Sequence, residues 1–335
     1  MIGHRMPECA ELIGRIEPKL QEVFHTKQRV LINACTGTGF LEAAVLNTMN
    51  GKTLNCVNGA FSVRMREITE LCGKANEVLE VEWGQAITPE LVAEKLAAGG
   101  FDAIAITQNE TSTGVASPIK EIAEVVRKAP NGENIIIIVD AVSSLGGDKI
   151  EFDAWDLDVL ITSSQKAFAL PAGIAFCAVS ERAMKKAATV PNRGFYFDFI
   201  TLAKSLDKNQ TPSTTPISLL YALDKQLDLM LAEGLETRFA RHIAMQQRTH
   251  EWAKSKGFEL FPAEGYESKT LTCINNNLDI NVGELNNFLR TKGMYLSNGY
   301  GAQLKNITFR IAHMGELQME DMEGLFAAID EFMAQ

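Results

Sequence analysis

In this 335-residue chain, Lys166 follows the uncharged run Ser163-Ser164-Gln165 and precedes the apolar run Ala167-Phe168-Ala169-Leu170. An ammonium between such neighbours loses solvation, which lowers its pKa and frees the amine to act as a Schiff-base nucleophile. A surface lysine that lays its stem along apolar neighbours fits the same text. Asp140 closes the apolar run Ile135-Ile136-Ile137-Ile138-Val139, where a carboxylate needs a cationic or protonated partner, or a cap or salt bridge. Thr36-Gly37-Thr38-Gly39 runs into a helical segment expected to begin near Phe40. Its glycines let the backbone approach an anion, its hydroxyls add donors, and helix-start N–H groups point at the ligand. A plain structural turn has the same letters. Asn58-Gly59-Ala60-Phe61 offers an aromatic that either stacks on a flat ring or simply packs. Glu110-Thr111-Ser112-Thr113-Gly114 reads as a hydroxyl-rich binding loop or as a helix cap before Pro118.

Two phosphate motifs are tested and fail. A dinucleotide fingerprint needs a third glycine where Glu42 stands, and a P-loop ending in Gly51-Lys52-Thr53 needs its first glycine where Leu46 stands. His4, His25, His242, His250 and His313 are too scattered for a metal site, and the six cysteines form no C-x-x-C pair. His313 reads as a structural neighbour of Arg310. One cofactor uses all the remaining roles. Pyridoxal 5'-phosphate needs a lysine for its aldehyde, an acid at its pyridine nitrogen, an anion cradle and a stacking partner.

The elements that must position these residues alternate between β-branched runs and amphipathic helical segments, which points to a parallel sheet. Strands are expected near Val30–Asn33, Thr53–Val57, Val78–Val81, Ala103–Thr107, Ile135–Val139, Val159–Thr162 and Ile174–Val179. The candidate residues follow five of these, at the edge where open α/β sheets place their ligands. Thr88-Pro89-Glu90 is a helix start, with a capping hydroxyl, a tolerated proline and an acid at the positive end. From Pro216 to about Lys256 the text is helical with a break at Gly234. A strand near Thr270–Ile274, a helix over Val282–Thr291, a turn at Asn298–Gly301, a strand near Ile307–Ile311 and a helix from Glu316 follow. The expected organisation is a large domain of residues 1–235, with a mostly parallel sheet covered by helices on both faces, and a smaller α+β domain of residues 236–335.

Lys plus Arg number 32 against 42 Asp plus Glu, a net charge of −10, which repels phosphate backbones and anionic lipid and argues against nucleic-acid or membrane partners. The uncharged stretch 167–180 contains Pro171 and Gly173 and is too short to span a bilayer. His4, Arg5, Glu8 and Glu11 do not make a signal peptide, so a reducing cytoplasm is expected, and the sequons at Asn109, Asn209 and Asn306 carry no meaning for glycosylation.

Taken in order, Thr36–Gly39, Asn58–Phe61, Glu110–Val115, Asp140-Ala141-Val142-Ser143-Ser144-Leu145-Gly146-Gly147, Ser164-Gln165-Lys166 and Phe309-Arg310-Ile311-Ala312-His313-Met314-Gly315 resemble the class V aminotransferases. The nearest branch is the alanine/serine–glyoxylate and serine–pyruvate aminotransferases, and the resemblance spans essentially the whole chain. It implies the type I fold of pyridoxal-phosphate transferases. Position by position it implies that Lys166 forms the Schiff base, Asp140 pairs with the pyridine nitrogen, Val142 packs opposite Phe61, and Thr111 bonds near the ring hydroxyl. Gly37, Thr38 and Gln165 would hold the phosphate with Thr36 adjacent, and Arg310 would bind the substrate carboxylate. Thr211 and Thr214 would reach the phosphate from the neighbouring subunit of a homodimer with shared sites. Thr211 stands where animal members have tyrosine, and Phe61 where they have tryptophan. Members also carry a Pro/Gly-rich arm ahead of the Gly3-His4-Arg5 segment, whereas this sequence starts at Met1.

The resemblance thus implies transfer of the amino group of a small L-amino acid (serine, alanine or aspartate) to glyoxylate or pyruvate. A cysteine desulfurase type of lyase is the alternative, although Gln165 replaces the expected histidine and Cys273 lies in an apolar strand. A non-catalytic cofactor-binding homologue lacking the arm is the other.

Overall fold

The computed structural model describes residues 2–335. Its strands, in chain order, begin with β1 (Arg29–Asn33), β2 (Lys52–Val57), β3 (Asn76–Glu80) and β4 (Phe101–Thr107). A two-residue hairpin of β5 (Asn109–Glu110) and β6 (Val115–Ala116) precedes β7 (Ile136–Asp140), β8 (Val159–Ser163) and β9 (Ala175–Val179). Without the hairpin these form one seven-stranded sheet in the order β1-β9-β8-β7-β4-β2-β3. Every residue of β7, β8 and β9 is buried, as required when successive side chains point to opposite faces and helices cover both.

The sheet is parallel except at β9, which runs antiparallel to both β1 and β8. Alternation alone predicted no reversal. Only residues 164–174 separate β8 from β9, too few for a crossover helix, so the chain must turn straight back.

The connections carry α1 (Pro7–Val23), α2 (Gly37–Thr48), α3 (Ala60–Leu71), α4 (Pro89–Leu96), α5 (Ile119–Lys128), α6 (Glu181–Thr189) and α7 (Phe199–Leu206). Thr88 caps α4 through its hydroxyl, which accepts from Leu91 N at 3.5 Å. The helix expected near Phe40 starts at Gly37, with Thr36 extended as its N-cap. The glycines that read as a turn therefore lie inside the first helical turn. Gly37 is needed there, because a Cβ would sit 2.5 Å from Val142 Cγ2.

The helical stretch after Pro216 resolves into α8 (Ile217–Glu233) and α9 (Leu235–Ser255), broken at Gly234, whose φ is +83°. Beyond it lie β10 (Leu271–Asn275), α10 (Val282–Thr291), β11 (Ser297–Asn298), α11 (Gly301–Leu304), β12 (Thr308–Ala312) and α12 (Met319–Met333). The strands make an antiparallel sheet in the order β10-β12-β11. Met245, Trp252, Phe258, Phe309 and Phe326 form an apolar core of their own, apart from the larger core around the seven-stranded sheet. Among the described residues no helix is long and apolar enough to cross a membrane.

Arg238 of α9 is fully buried and ties these parts together. Its Nε donates to Gly146 O at 2.8 Å, and its Nη2 to Ala167 O at 2.8 Å and Gly315 O at 3.1 Å. Its Nη1 donates to Glu233 at 2.7 Å. Arg238→Met keeps much of the volume but orphans the carbonyls of Gly146 and Ala167, while Arg241 still donates to Gly315 O at 3.2 Å and to Glu233 at 2.7 Å. Urea denaturation should show a loss of about 3 kcal/mol or more; a loss below about 1 kcal/mol would mean that these carbonyls need no internal partner.

Candidate active site

Six parallel strands end at one edge of the sheet, and the segments leaving five of them enclose a cavity of about 270 Å³. Thr36, Gly37 and Thr38 come from the end of β1 and the first turn of α2, Phe61 from α3, and Thr111 from the β5–β6 hairpin. Asp140 ends β7, Val142 follows it, and Gln165 and Lys166 follow β8. Nine of the expected site residues thus line one space.

Arg310 lies beside that space and does not line it. Its Nη1 donates to Thr111 O at 3.0 Å, and its Nε and Nη2 to Asn298 O at 3.3 and 3.2 Å. Thr211 and Thr214 do not line it either. The Thr211 hydroxyl donates to Ser213 O at 2.8 Å, Arg5 holds the Thr211 carbonyl at 3.1 Å, and Thr214 is exposed.

Two ionisable groups that line the cavity, Asp140 and Lys166, are both driven towards neutrality. Burial raises the Asp140 carboxyl to about 6, opposed by a hydrogen bond from Val142 N to Oδ1 at 2.9 Å. Burial lowers the Lys166 ammonium; the field of Arg310 adds to this, Asp140 opposes it, and Arg64 contributes in the same direction as Arg310. The lysine amine thereby becomes accessible in its neutral form nearer to neutral pH.

The segment bearing Phe61 is fixed by a buried acid. Glu110 accepts from Phe61 N at 3.0 Å, from Ser62 N at 2.9 Å and from the Ser62 hydroxyl at 3.0 Å. It also accepts from Ser112 N at 3.1 Å and the Ser112 hydroxyl at 2.6 Å. A carboxylate at the start of α3 complements the orphan N–H groups and the positive end of the helix. Gly59 is required by this approach, since a Cβ would lie 2.4 Å from Glu110 Cγ. The expected cap before Pro118 is therefore a hairpin whose acid caps a different helix.

This arrangement was tested against the cofactor that the sequence implies. The first turn of α2 lines the cavity through Gly37 and Thr38, with the orphan N–H groups of a helix start. At its wall, Asn109 Oδ1 is buried without a partner, and Ser163 Oγ, likewise unpartnered, sits next to Gly37. An anion cradle, an aromatic face, a lysine of lowered pKa and a buried acid in one cavity suit a phosphorylated aromatic aldehyde. Among the described residues no cluster of His, Cys, Asp or Glu is placed to hold a metal ion.

The sequence reading did not single out Arg64, Asn109, Ser143 or Tyr300. Arg64 follows Phe61 by one helical turn, so placing Phe61 at the rim already implied it. Asn109 and Ser143 stand beside quoted motif residues, and the Thr111 hydroxyl donates to Ser143 Oγ at 2.7 Å. Tyr300 comes from the loop before α11, and nothing local marks it. Cys273 is buried in β10, and burial pushes its thiol up to about 12, far from a reactive thiolate.

The family model described as aminotransferase class-V matches residues 4–316. The chain is 35% identical to an uncharacterized aminotransferase of Methanocaldococcus jannaschii, with 98% of this chain and 86% of that protein covered. It is 31% identical to the serine–glyoxylate aminotransferase of Hyphomicrobium methylovorum over 97% of this chain and 82% of that one. The crystal structure of an alanine–glyoxylate aminotransferase from Nostoc sp. superposes with a TM-score of 0.91 at 26% identity, covering 98% and 88% of the two chains.

The raised Asp140 pKa carries a stability sign. A buried acid whose folded pKa lies above its unfolded value stabilises the fold less as pH rises through the folded value, here about 6. In the ligand-free protein Asp140→Asn should therefore be the more stable form at pH 8. The advantage should shrink by about 1 kcal/mol on going to pH 5, read by chemical denaturation at both pH values. A constant difference would show that Asp140 keeps an ordinary pKa.

Proposed function

This chain belongs to the class V aminotransferase family, and we propose that it moves the amino group of a small L-amino acid, serine, alanine or aspartate, to glyoxylate or pyruvate using pyridoxal 5'-phosphate. The observation that carries the reading is that Lys166 and Asp140 line one cavity, each shifted towards its neutral form. When bound, the cofactor supplies an aldehyde for amines and a ring that draws electrons from the substrate Cα.

The chain's own residues would do the rest. The first turn of α2, Thr36, Thr38 and Gln165 hold the phosphate, with backbone N–H groups at a positive helix end. Phe61 and Val142 take the two faces of the ring. Asp140 holds the proton on the pyridine nitrogen, and that positive charge returns the carboxyl to its ionised form. Arg310 takes the substrate carboxylate with a planar fork suited to two parallel hydrogen bonds. Lys166 Nζ, once free, accepts the proton from the substrate Cα and redelivers it on the cofactor side, a transfer that its lowered pKa favours.

The same proposal includes a homodimer in which Thr211 and Thr214 serve the neighbour's phosphate. Neither lines the cavity of its own chain, and Arg5 braces their segment through the carbonyls of Thr211 and Pro212. It includes the division into residues 1–235 and 236–335, supported by the two separate apolar cores. It also includes a cytoplasmic setting, which the six free cysteines support.

Lys166→Ala should abolish multiple-turnover transamination; turnover that survives in the purified variant would remove the lysine from its role. Arg310→Lys should lower kcat/KM by about 10- to 100-fold through loss of a charge-assisted, two-point contact. A wild-type protein that binds the cofactor, turns yellow and forms no keto acid from any donor would establish a non-catalytic homologue instead.

A further inference from the structure

Three cations gather at the cavity, and the proposed reaction employs two of them. The third is Arg64, which lies on α3 with its Cζ 4.9 Å from the centroid of the Phe61 ring. Its Nη2 donates to the Tyr300 hydroxyl at 3.0 Å, the one hydrogen bond of this guanidinium among the described residues. Arg310 approaches the same tyrosine from another side, with its Cζ 5.5 Å from the ring centroid. Tyr300 in turn packs on Phe61 at 4.9 Å between centroids. Two guanidiniums are thus held by one aromatic ring, one at its hydroxyl and one over its face.

Neither has a carboxylate within ion-pair distance among the described residues. The other buried or half-buried guanidiniums around the fold do: Arg127 pairs with Asp158, Arg193 with Asp198 and Arg238 with Glu233. The acid near the site, Glu110, is not available, because α3 N–H groups and serine hydroxyls occupy both its oxygens. Arg64 therefore lines the cavity with most of its N–H donors unspent among the described residues. A guanidinium so placed is a receptor for a second anion, by the same planar geometry that suits Arg310 to the first. The cofactor phosphate has donors of its own in the proposed reading, from the first turn of α2, Thr36, Thr38 and Gln165, and does not require Arg64.

We propose that Arg64 receives the side-chain carboxylate of a dicarboxylic substrate, so that among the candidate donors aspartate and its keto acid are bound at two points, by Arg310 and Arg64, while serine and alanine are held at one. Tyr300 orients both forks. This rests on the transamination reading, and it selects within that reading.

The test uses the holoenzyme. Arg64→Gln should lower the ratio of kcat/KM for aspartate to that for alanine by about tenfold or more, and Arg64→Lys should restore part of it. A second measurement needs no turnover: calorimetric binding of succinate, an unreactive dicarboxylate, should weaken by a similar factor in Arg64→Gln, with propionate binding little affected. Equal losses with both donors, or with succinate and propionate alike, would overturn the proposal and place Arg64 in the service of the cofactor or the fold. If the wild-type protein turns over neither donor, the transamination reading falls. Succinate binding then still decides whether Arg64 and Arg310 form a two-point anion site.

Discussion

One buried charge holds the working parts in register. Arg238 spends its donors on three carbonyls, Gly146, Ala167 and Gly315, and each belongs to the segment that follows a site-bearing position: Asp140, Lys166 and Arg310. A guanidinium with no solvent exposure is costly to bury, and it persists only where every donor is satisfied. Here that condition can be met only when the loops after β7 and β8 and the segment after β12 lie at set distances from α9. The large and small apolar cores are built independently of each other. Their polar seam, more than either core, determines where Arg310 stands relative to Lys166.

Burial then acts on the site with opposite signs on opposite charges. It raises Asp140 and lowers Lys166, so that the empty cavity disfavours both ionised forms for a single dielectric reason. A ligand that brings a positive ring nitrogen beside Asp140 and consumes the amine of Lys166 relieves both penalties at once. Glu110 plays a different part. It is buried, and five hydrogen bonds, three of them from α3 and its first serine, occupy its oxygens and leave no residual demand on a ligand.

The legible parts were those governed by local chemistry and by periodicity. Each of the seven expected strands has a counterpart in the large sheet, and the polar residues after five of them converge because parallel strands share one carboxyl edge. What stayed hidden depends on length and on distant neighbours. The reversal of β9 follows from a short connection, not from its own residues, which read as any buried strand. The start of α2 at Gly37 depends on Val142 leaving no room for a Cβ. The hairpin of β5 and β6, and the helices α6 and α7, were not anticipated, because short elements carry little periodic signal. Tyr300 packs on Phe61 only because β11 and α11 fold it back over that ring, a long-range fact with no local mark.

The reversed strand also sets an order of events for a chain made from its amino end. β1 lies at the border of the sheet and has β9 as its single sheet neighbour, with Arg29 opposite Val179 and Asn33 opposite Ala175. The helix before it, α1, packs against α8, which is made later still. α1 and β1, made before the rest of the sheet, are thus among the last to find their partners, and this separation slows closure of that border. Meanwhile β2, β3 and β4 can already pair with one another from consecutive stretches of sequence. The sheet is therefore expected to grow from its opposite border, β4-β2-β3, with the strand that precedes Thr36 and α2 docking as the closing piece.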